Sequence, residues 1–338
     1  MCTFHILLVL YIVVNIILYR NNKLLYNIHC LMKVFLNNLN ESWVVDRFRS
    51  EWKDYNEDIT TQEIKNADII WIFTPWLWKK INKKYLKTKK VLCSIYHIDF
   101  EKFSKKEIKE FYKRDKFVDE YHVISEKTKI QLQKLTDKNI KSIPFWINEN
   151  IWFEINDKFR LLKKYNLEDD KFYIGSFQRD TEGSDLKSPK LIKGPDQFVE
   201  IAKYFYEENN NVLVVLTGKR RQYVISELEK AEIPYKYFEM VNFEELNELY
   251  NILDLYIVSS RIEGGPQAIM ECAITKTPII STDVGIASEI LSENSIFDMS
   301  NFQKAIPDLE YAFQKTKKFN TSNGFLEFRT LLKDLYES

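Results

Sequence analysis

Short apolar runs alternate with longer amphipathic, charge-rich stretches along most of this chain. From Met32 onward the runs fall at residues 33–36, 69–73, 91–95, 121–124 and 140–143. They are rich in β-branched residues and too short for helices, which predicts buried strands. Between them, residues 44–55, 105–116 and 126–135 show helical spacing, and Ser125 stands where a helix N-cap belongs. The pattern then restarts. Runs at 172–177, 212–216, 235–238, 255–259 and 278–281 alternate with helical stretches at 196–207, 222–230, 243–253 and 267–275. Strand alternating with helix predicts parallel sheets with helices on both faces. Two such series predict an α/β protein of two doubly wound, Rossmann-like domains.

The polar stretch 151–170 reads as the join. The expected division is a hydrophobic extension or anchor at 1–31, a first domain at 32–155, a second at 156–310 and a helical segment at 311–338. The region from 301 on carries apolar positions Phe325, Phe328, Leu331, Leu332 and Leu335 at helical spacing. In open parallel sheets ligands bind beyond the carboxyl ends of the strands, so two facing domains imply a site in a cleft.

Composition narrows the function. Of 338 residues, 45% are hydrophobic and 29% charged, which excludes a disordered or collagen-like chain. Lys+Arg and Asp+Glu both number 49, so the global basic excess expected of a dedicated nucleic-acid binder is missing. Only 8 glycines are present, so Gly-rich phosphate loops must be scarce. Cys2, Cys30, Cys93 and Cys272 form no CxxC pair, and His5, His29, His97 and His122 form no ligand cluster. Neither a disulfide framework nor a metal site on His or Cys is expected. Isolated thiols fit a reducing compartment.

Residues 2–19 form an apolar stretch interrupted only by Thr3, His5 and Asn15. That is near the short limit of about 17–25 residues for a membrane span. No small-residue cleavage site follows it. Arg20, Lys23 and Lys33 come after it, so a spanning stretch would leave the body of the protein on the cytoplasmic side. Met32-Lys33-Val34-Phe35-Leu36 reads equally well as the opening of a domain, with 1–31 as an upstream extension. Both readings stay open, and both begin the working domains near Met32. The expected location is cytoplasmic, with membrane association at the cytoplasmic face if the stretch is an anchor.

One segment is more informative than the rest. The run Leu255-Tyr-Ile-Val-Ser-Ser260 leads through Arg261-Ile-Glu263-Gly264-Gly265-Pro266 into a helix from Gln267. Gly264 and Gly265 let the backbone approach a ligand. Pro266 suits the first turn of a helix, and the N–H groups of that start, at Gln267 and Ala268, attract a phosphate. Glu271 lies one turn into the helix on the face of Gln267. Glu263 stands in the loop ahead, so one carboxylate can reach a sugar and the other a ribose, with a diphosphate between them. The plain alternative is a generic strand-to-helix turn with solvated glutamates.

This pattern resembles the signature of retaining GT-B glycosyltransferases of the family 4, or glycosyltransferase group 1, type. The family wording E-G-F-P-x3-x-E followed by G-x-P-V-v-a-t-d-v-G-G is met by Glu263, Gly264, Pro266, Glu271, Pro278 and the Asp283-Val284-Gly285 turn. Gly265 replaces the aromatic residue, and Lys276-Thr277 replace Gly-x. The stretch Phe243-Glu-Glu-Leu through Leu249-Tyr250 to Asp254 also resembles the family helix into that strand.

The resemblance implies further site residues. Tyr173-Ile-Gly175-Ser-Phe-Gln-Arg179 and Lys193-Gly194 are similar to the family's G-R and K-G, whose cations hold the donor diphosphate. A polar insertion, 180–192, separates them, and Lys190 or Lys187 could take the place of Lys193. Val91 to His97-Ile98-Asp99 resembles the strand ending in a His-Asp pair, with Ile98 splitting the two. It places His97 with Glu263 at the reacting centre, the alternative being a structural His97, while His122, inside its strand, reads as packing. The expected donor-diphosphate contacts are Arg179, Lys193, Gly264, Gly265, Pro266, Gln267 and Ala268, with Glu271 on the ribose and no metal ligand. The first strand ends in Asn37-Asn38-Leu39-Asn40-Glu41-Ser42 where the family has a Gly-rich loop. Asparagine tolerates turns and Ser42 could cap the next helix.

The resemblance therefore implies transfer of a sugar, with retention, from a nucleotide-diphosphate sugar to a hydroxyl of a glycan or lipid-linked glycan. No cofactor is required, since no Asp-x-Asp motif ends a strand, and no nucleic acid is expected as partner. The alternative is a non-catalytic nucleotide-sugar-binding or scaffold protein on a GT-B fold. A GT-B enzyme acting on DNA bases would want a basic cleft that the neutral composition does not suggest. Residues 76–90 carry seven lysines among Trp76, Trp78 and Tyr85, the mixture expected where a surface meets anionic headgroups. A solvated, lysine-rich loop is the other reading of that segment.

Overall fold

The computed structural model describes residues 32–38, 44–101 and 103–338. The hydrophobic stretch 2–19, with Cys2, His5, His29 and Cys30 around it, lies outside the described residues, as do residues 39–42 of the Asn-rich loop, Ser42 included. Among the described residues no helix is long and apolar enough to cross a membrane.

The chain divides into two compact units. One comprises residues up to Ser94, Lys105–His122 and Phe328–Ser338; the other comprises Ile95–Ser104 and Val123–Glu327. In the first unit, strands β1 (Val34–Leu36), β2 (Ile69–Ile72), β3 (Lys90–Ile95) and β4 (Glu120–Val123) lie side by side in chain order. β1 pairs with β2, and β2 with β3, in parallel, with Val34 opposite Ile69 and Ile70 opposite Val91. Each run is buried from end to end or nearly so, as an inner parallel strand requires. The helices Val44–Tyr55 and Lys105–Asp115 fall where the spacing predicts them.

An aromatic cluster closes this unit. Phe328, on the final helix Thr321–Glu337, stacks on Trp71 of β2 at 5.2 Å between ring centroids. Trp52 meets Trp71 edge-on at 5.1 Å. The Trp71 indole N–H donates to Ser94 Oγ at 2.9 Å, and that hydroxyl lies 2.9 Å from His122 Nδ1. An indole can only donate, so Ser94 accepts from Trp71 and turns its own proton to His122. His122 is thereby a satisfied core residue, as its place inside a strand suggests. Asn37 is buried at the end of β1 and accepts from Thr74 N–H at 3.0 Å while donating to Thr74 O at 3.1 Å. An asparagine expected to serve a turn instead fastens β1 to the exit of β2.

The second unit holds β5 (Asn139–Ser142), preceded by the helix Glu126–Leu132, whose N-cap Ser125 accepts from Thr128 N–H as expected. Its large sheet is built from β6 (Phe172–Ser176), β9 (Val212–Thr217), β10 (Tyr235–Phe238), β11 (Leu255–Val258), β12 (Ile279–Thr282) and β13 (Ile296–Phe297). β7 (Thr181–Glu182) and β8 (Ser188–Pro189) form a separate antiparallel hairpin. The large sheet is parallel, in the order β10-β9-β6-β11-β12-β13. Alternate side chains go to opposite faces. Tyr173, Val215, Tyr256, Val258 and Ile279 share one core with the helices Phe243–Ile252 and Gln267–Thr275. Ile174, Val214, Leu216, Ile257 and Ile280 share another with the helices Pro195–Glu208 and Gln222–Lys230. The sheet is doubly wound, and its order reverses between β6 and β11, the crevice where such sheets bind ligands.

Two stretches differ from their sequence reading. The polar segment 151–170 carries the helix Lys158–Lys164 and sends Trp152, Leu161 and Leu162 into the first of those cores. The segment Thr321–Glu337 is one continuous helix, set off from the helix Leu309–Thr316 by a short turn.

Phe328→Ala should destabilise the first unit by about 3–5 kcal/mol, the usual cost of deleting a buried aromatic ring. A urea midpoint equal to that of the unaltered protein would show that the Trp71 stack carries little.

Candidate active site

The exits of β6 and β11 meet at the point where the strand order reverses. Ser259 and Ser260, fully buried, follow β11 directly. Ser259 Oγ donates to Gly194 O at 2.7 Å, and Gln178 Nε2, just past β6, donates to Lys193 O at 2.8 Å. Ser260 Oγ donates to Gln178 Oε1 at 3.1 Å. Arg261 N–H donates to Ile192 O at 2.9 Å, and its guanidinium grips Asp196 in two hydrogen bonds of 2.7 and 2.6 Å. Gly194 itself has φ +61°, and a Cβ on it would sit 1.7 Å from Ser259 O. Only glycine allows the Lys193 backbone this close to β11.

That approach sets the charges. Lys193 Nζ is in ion-pair contact with Glu263 Oε1, both side chains being largely enclosed. Lys190, half-buried, lies within electrostatic reach of Lys193, Arg179 and Glu263; crowding out of water lowers its pKa, and the two cations lower it further. Arg179 is exposed, with Nε donating to Thr181 O at 3.0 Å. Lys190 thus lies among Arg179, Lys193 and the carboxylates Glu263 and Glu182. Arg179 and Lys193 both lie within electrostatic reach of Lys190, whereas Lys187 is exposed on the hairpin tip.

His97 is solvent-exposed yet belongs to this group. Neighbouring protein mass lowers its pKa, Glu263 pulls it up, and Lys193 presses it down. The balance favours the neutral ring. Asp99 also acts on it, so the intervening Ile98 does not separate the pair electrostatically.

The Gly-Gly-Pro turn is equally constrained. A Cβ on Gly264 would lie 1.5 Å from Tyr96 O, and one on Gly285 would lie 2.1 Å from Gly264 O. The place where the family has an aromatic residue, Gly265, is bounded by Ile124 Cδ1 at 2.9 Å. Pro266 occupies the N-cap position, one residue earlier than the first helical turn, and Ile269 N–H returns to Pro266 O at 3.0 Å. The N–H groups of Gln267 and Ala268 are left at the head of the helix, where the backbone supplies no partner. Gln267 Oε1 is buried without a hydrogen-bond partner. Lys276 closes this helix at φ +54°, the left-handed position that the family fills with glycine. There its ammonium pairs with Glu154 at 2.8 Å.

Glu271 is 6% exposed and accepts from Tyr250 OH at 2.8 Å. Burial beside this carboxylate pushes the Tyr250 phenol well above its ordinary pKa, so it stays a donor. Sequence reasoning missed Tyr250, Gln178, Ser260, Arg261 and Asp196, whose partners lie 21 to 82 residues away. Tyr250 had the one available signal, its place in the helix running into β11. Among the described residues no three His, Cys, Asp or Glu side chains gather as a metal site would require, and Cys93 and Cys272 are buried free thiols.

In the first unit a separate groove of about 380 Å³ opens at the end of β1. Phe35, Asn37, Leu77, Lys80, Ile81 and Tyr85 are among its walls.

Residues 188–317 match the glycosyl transferases group 1 family. The match takes in Lys190, Lys193, Glu263 and Glu271. The chain is also 19% identical over 276 residues to the O-antigen chain mannosyltransferase RfbU of Salmonella typhimurium, covering 77% of this chain and 76% of that one. Among solved structures it is similar to Anabaena HepE in complex with UDP, with a TM-score of 0.70 and 13% identity, covering 90% of this chain and 100% of HepE. HepE was also solved with UDP-glucose. Sucrose-phosphate synthase of Thermosynechococcus elongatus gives a TM-score of 0.66 at 13% identity, covering 89% of this chain and 81% of that one. The fold is GT-B, two Rossmann-like domains with parallel sheets.

Gly194→Ala and Gly183→Ala both force a side chain into positive φ, a strain of roughly 1–2 kcal/mol. At Gly183 the new methyl meets only the mobile end of Asp185, whereas at Gly194 it meets backbone. Thermal melting should therefore show the larger loss for Gly194→Ala; equal losses would mean that the Ser259 approach is not a tight constraint.

Proposed function

We propose that this GT-B glycosyltransferase moves a hexose from a nucleoside-diphosphate sugar to an acceptor hydroxyl, with retention at the anomeric carbon. The observation that carries the reading is the cluster of Arg179, Lys190 and Lys193, with Glu263 paired to Lys193, at the switch point of a doubly wound sheet. Three cations outnumber the two carboxylates that act with them, Glu263 and Glu182, and a diphosphate supplies what is missing. The helix start at Gln267 and Ala268 adds its dipole and two N–H groups. As the sugar–oxygen bond breaks, negative charge grows on the departing diphosphate, and fixed cations in a partly enclosed site stabilise it most at that moment. The reading calls for no divalent ion, because the side chains furnish the charge.

The carboxylates have separate tasks. On binding, the diphosphate competes for Lys193 and frees Glu263 to hold the hydroxyls of the donor sugar. Glu271, held by Tyr250, takes the ribose hydroxyls. His97, neutral and beside Glu263, contacts the sugar or diphosphate, and the acceptor attacks from the face the leaving group vacates. The RfbU likeness favours a glycan acceptor, lipid-linked glycans included, handled on the cytoplasmic side. A non-catalytic nucleotide-sugar-binding protein is the second reading; it is favoured by the present engagement of Glu263 with Lys193, and slow hydrolysis of a donor sugar would dismiss it.

Glu271→Ala should keep the fold and weaken UDP binding about 10-fold to 100-fold, the worth of hydrogen bonds to a charged group. Arg179→Ala and Lys193→Ala should each lower kcat by about 10²-fold, the scale of losing one preorganised donor. Calorimetry and turnover assays with UDP- and GDP-sugars test this. Unchanged nucleotide affinity in Glu271→Ala removes the ribose role, and full turnover in both cation variants removes the diphosphate role.

Membrane contact also belongs to the proposal. Trp76 is 45% exposed, and Lys80, Lys83, Lys84 and Lys87 point to solvent nearby, while Lys79 is taken by Glu110. The chain from Met32 onward should sediment with vesicles containing anionic lipid and release as salt rises, since the Debye length shrinks. Failure to bind at low salt would leave residues 1–31 as the one remaining place for such contact.

A further inference from the structure

The 180–192 insertion has no counterpart in the motif that the site otherwise follows, and its base contains a fully enclosed charge. Arg221, at the start of the helix Gln222–Lys230, is 0% exposed. Its Nε lies 2.9 Å from Asp180 Oδ2, and that carboxylate is 2% exposed. The Arg221 Nη1 and Nη2 groups have no hydrogen-bond partner. Such a pair is a poor device for stability: desolvating both ions consumes most of the Coulomb gain, and apolar replacements are often as stable or more so. Its geometry suggests another use.

Asp180 is the residue between Arg179 and the hairpin. Its backbone N–H and that of Thr181 both donate to Arg220 O, at 3.2 and 3.1 Å. Its carbonyl accepts from Lys190 N–H at 2.7 Å, which closes the base of the hairpin and fixes where Lys190 leaves it. Its Oδ1 accepts from Thr181 Oγ1 at 2.6 Å, and that hydroxyl in turn accepts from Tyr223 N–H at 2.9 Å. Arg179 Nε is held by Thr181 O. The hydrogen bonds made by Arg179 Nε and by Lys190 N–H therefore run to Thr181 and Asp180. Lys193 N–H donates in turn to Lys190 O at 2.8 Å, and Lys193 is held besides by Gln178 and by the close approach of Gly194 to Ser259.

We propose that the buried Asp180–Arg221 pair is the positioning device of the donor site: it anchors the inserted hairpin so that Arg179 and Lys190 stand with Lys193, making Lys190 a third cation for the diphosphate. This rests on the glycosyl-transfer reading. Asp180 and Arg221 touch no substrate and act through the two cations. The β-phosphate is the group that depends on them, whereas a nucleoside monophosphate needs chiefly the helix start and Glu271.

The test is the ratio of diphosphate to monophosphate affinity, by calorimetry with UDP and UMP and with GDP and GMP. The double variant Asp180→Asn with Arg221→Met removes both charges and leaves neither buried alone. It should melt near the temperature of the unaltered protein, lose at least 10-fold in diphosphate affinity and change less than 3-fold toward the monophosphate. Arg221→Lys, which keeps the charge, should recover part of the loss. Lys190→Gln, at a half-buried loop position, should reproduce the selective loss even if the double variant fails to fold. An unchanged ratio in Lys190→Gln, or in a folded double variant, overturns the positioning role while unaltered protein still binds the diphosphates. Unaltered protein that binds none of the four nucleotides overturns the glycosyl-transfer reading and this role with it.

Discussion

The site depends on backbone lying against backbone at the carboxyl ends of the strands. Gly194 presses on the Ser259 carbonyl, Gly264 on that of Tyr96, and Gly285 on that of Gly264. No other residue type fits without moving main chain. A chain with only 8 glycines spends three of them here, and each brings a loop closer to the strand exits than a side chain would permit. Closeness matters because the N–H groups of a helix start and the tips of lysines act over a few ångströms.

Electrostatics follow from that compression. Arg179, Lys190 and Lys193 would repel one another in isolation, and the pKa of Lys190 is lowered first by its burial and then by these two cations. Glu263 offsets part of that repulsion by its contact with Lys193. His97 feels the same opposition, drawn up by Glu263 and down by Lys193. Glu271 is treated differently. It is buried in an apolar core yet kept oriented by the Tyr250 hydroxyl, a donor that cannot ionise in its surroundings. One carboxylate is thus paired with a cation and the other held by a neutral donor.

The aromatic cluster of the first unit shows the same economy in a purely structural role. Trp52, Trp71 and Phe328 come from two helices and a strand far apart in the chain, and the one polar thread among them, Trp71 to Ser94 to His122, is satisfied at each step.

Strand and helix positions were legible from hydrophobic spacing alone, because a buried parallel strand needs a continuous apolar run and a helix on a sheet needs a stripe. Glu263, the Gly-Gly-Pro turn and Glu271 were legible too, since their chemistry is local: strand, turn and helix start are contiguous, so spacing fixes geometry. Lys193 with Gly194 and Arg179 could be aligned by resemblance. The sequence could not decide between Lys193, Lys190 and Lys187, nor reveal the hairpin, the Asp180–Arg221 pair, Tyr250 beneath Glu271, or Gln178 and Arg261 as the fasteners of the cation loop. Those choices depend on which segments the sheet brings side by side, and strand order is set by long-range packing rather than by any property of neighbouring residues. Local spacing determined which groups could do chemistry; the reversal of strand order between β6 and β11 decided which of them meet.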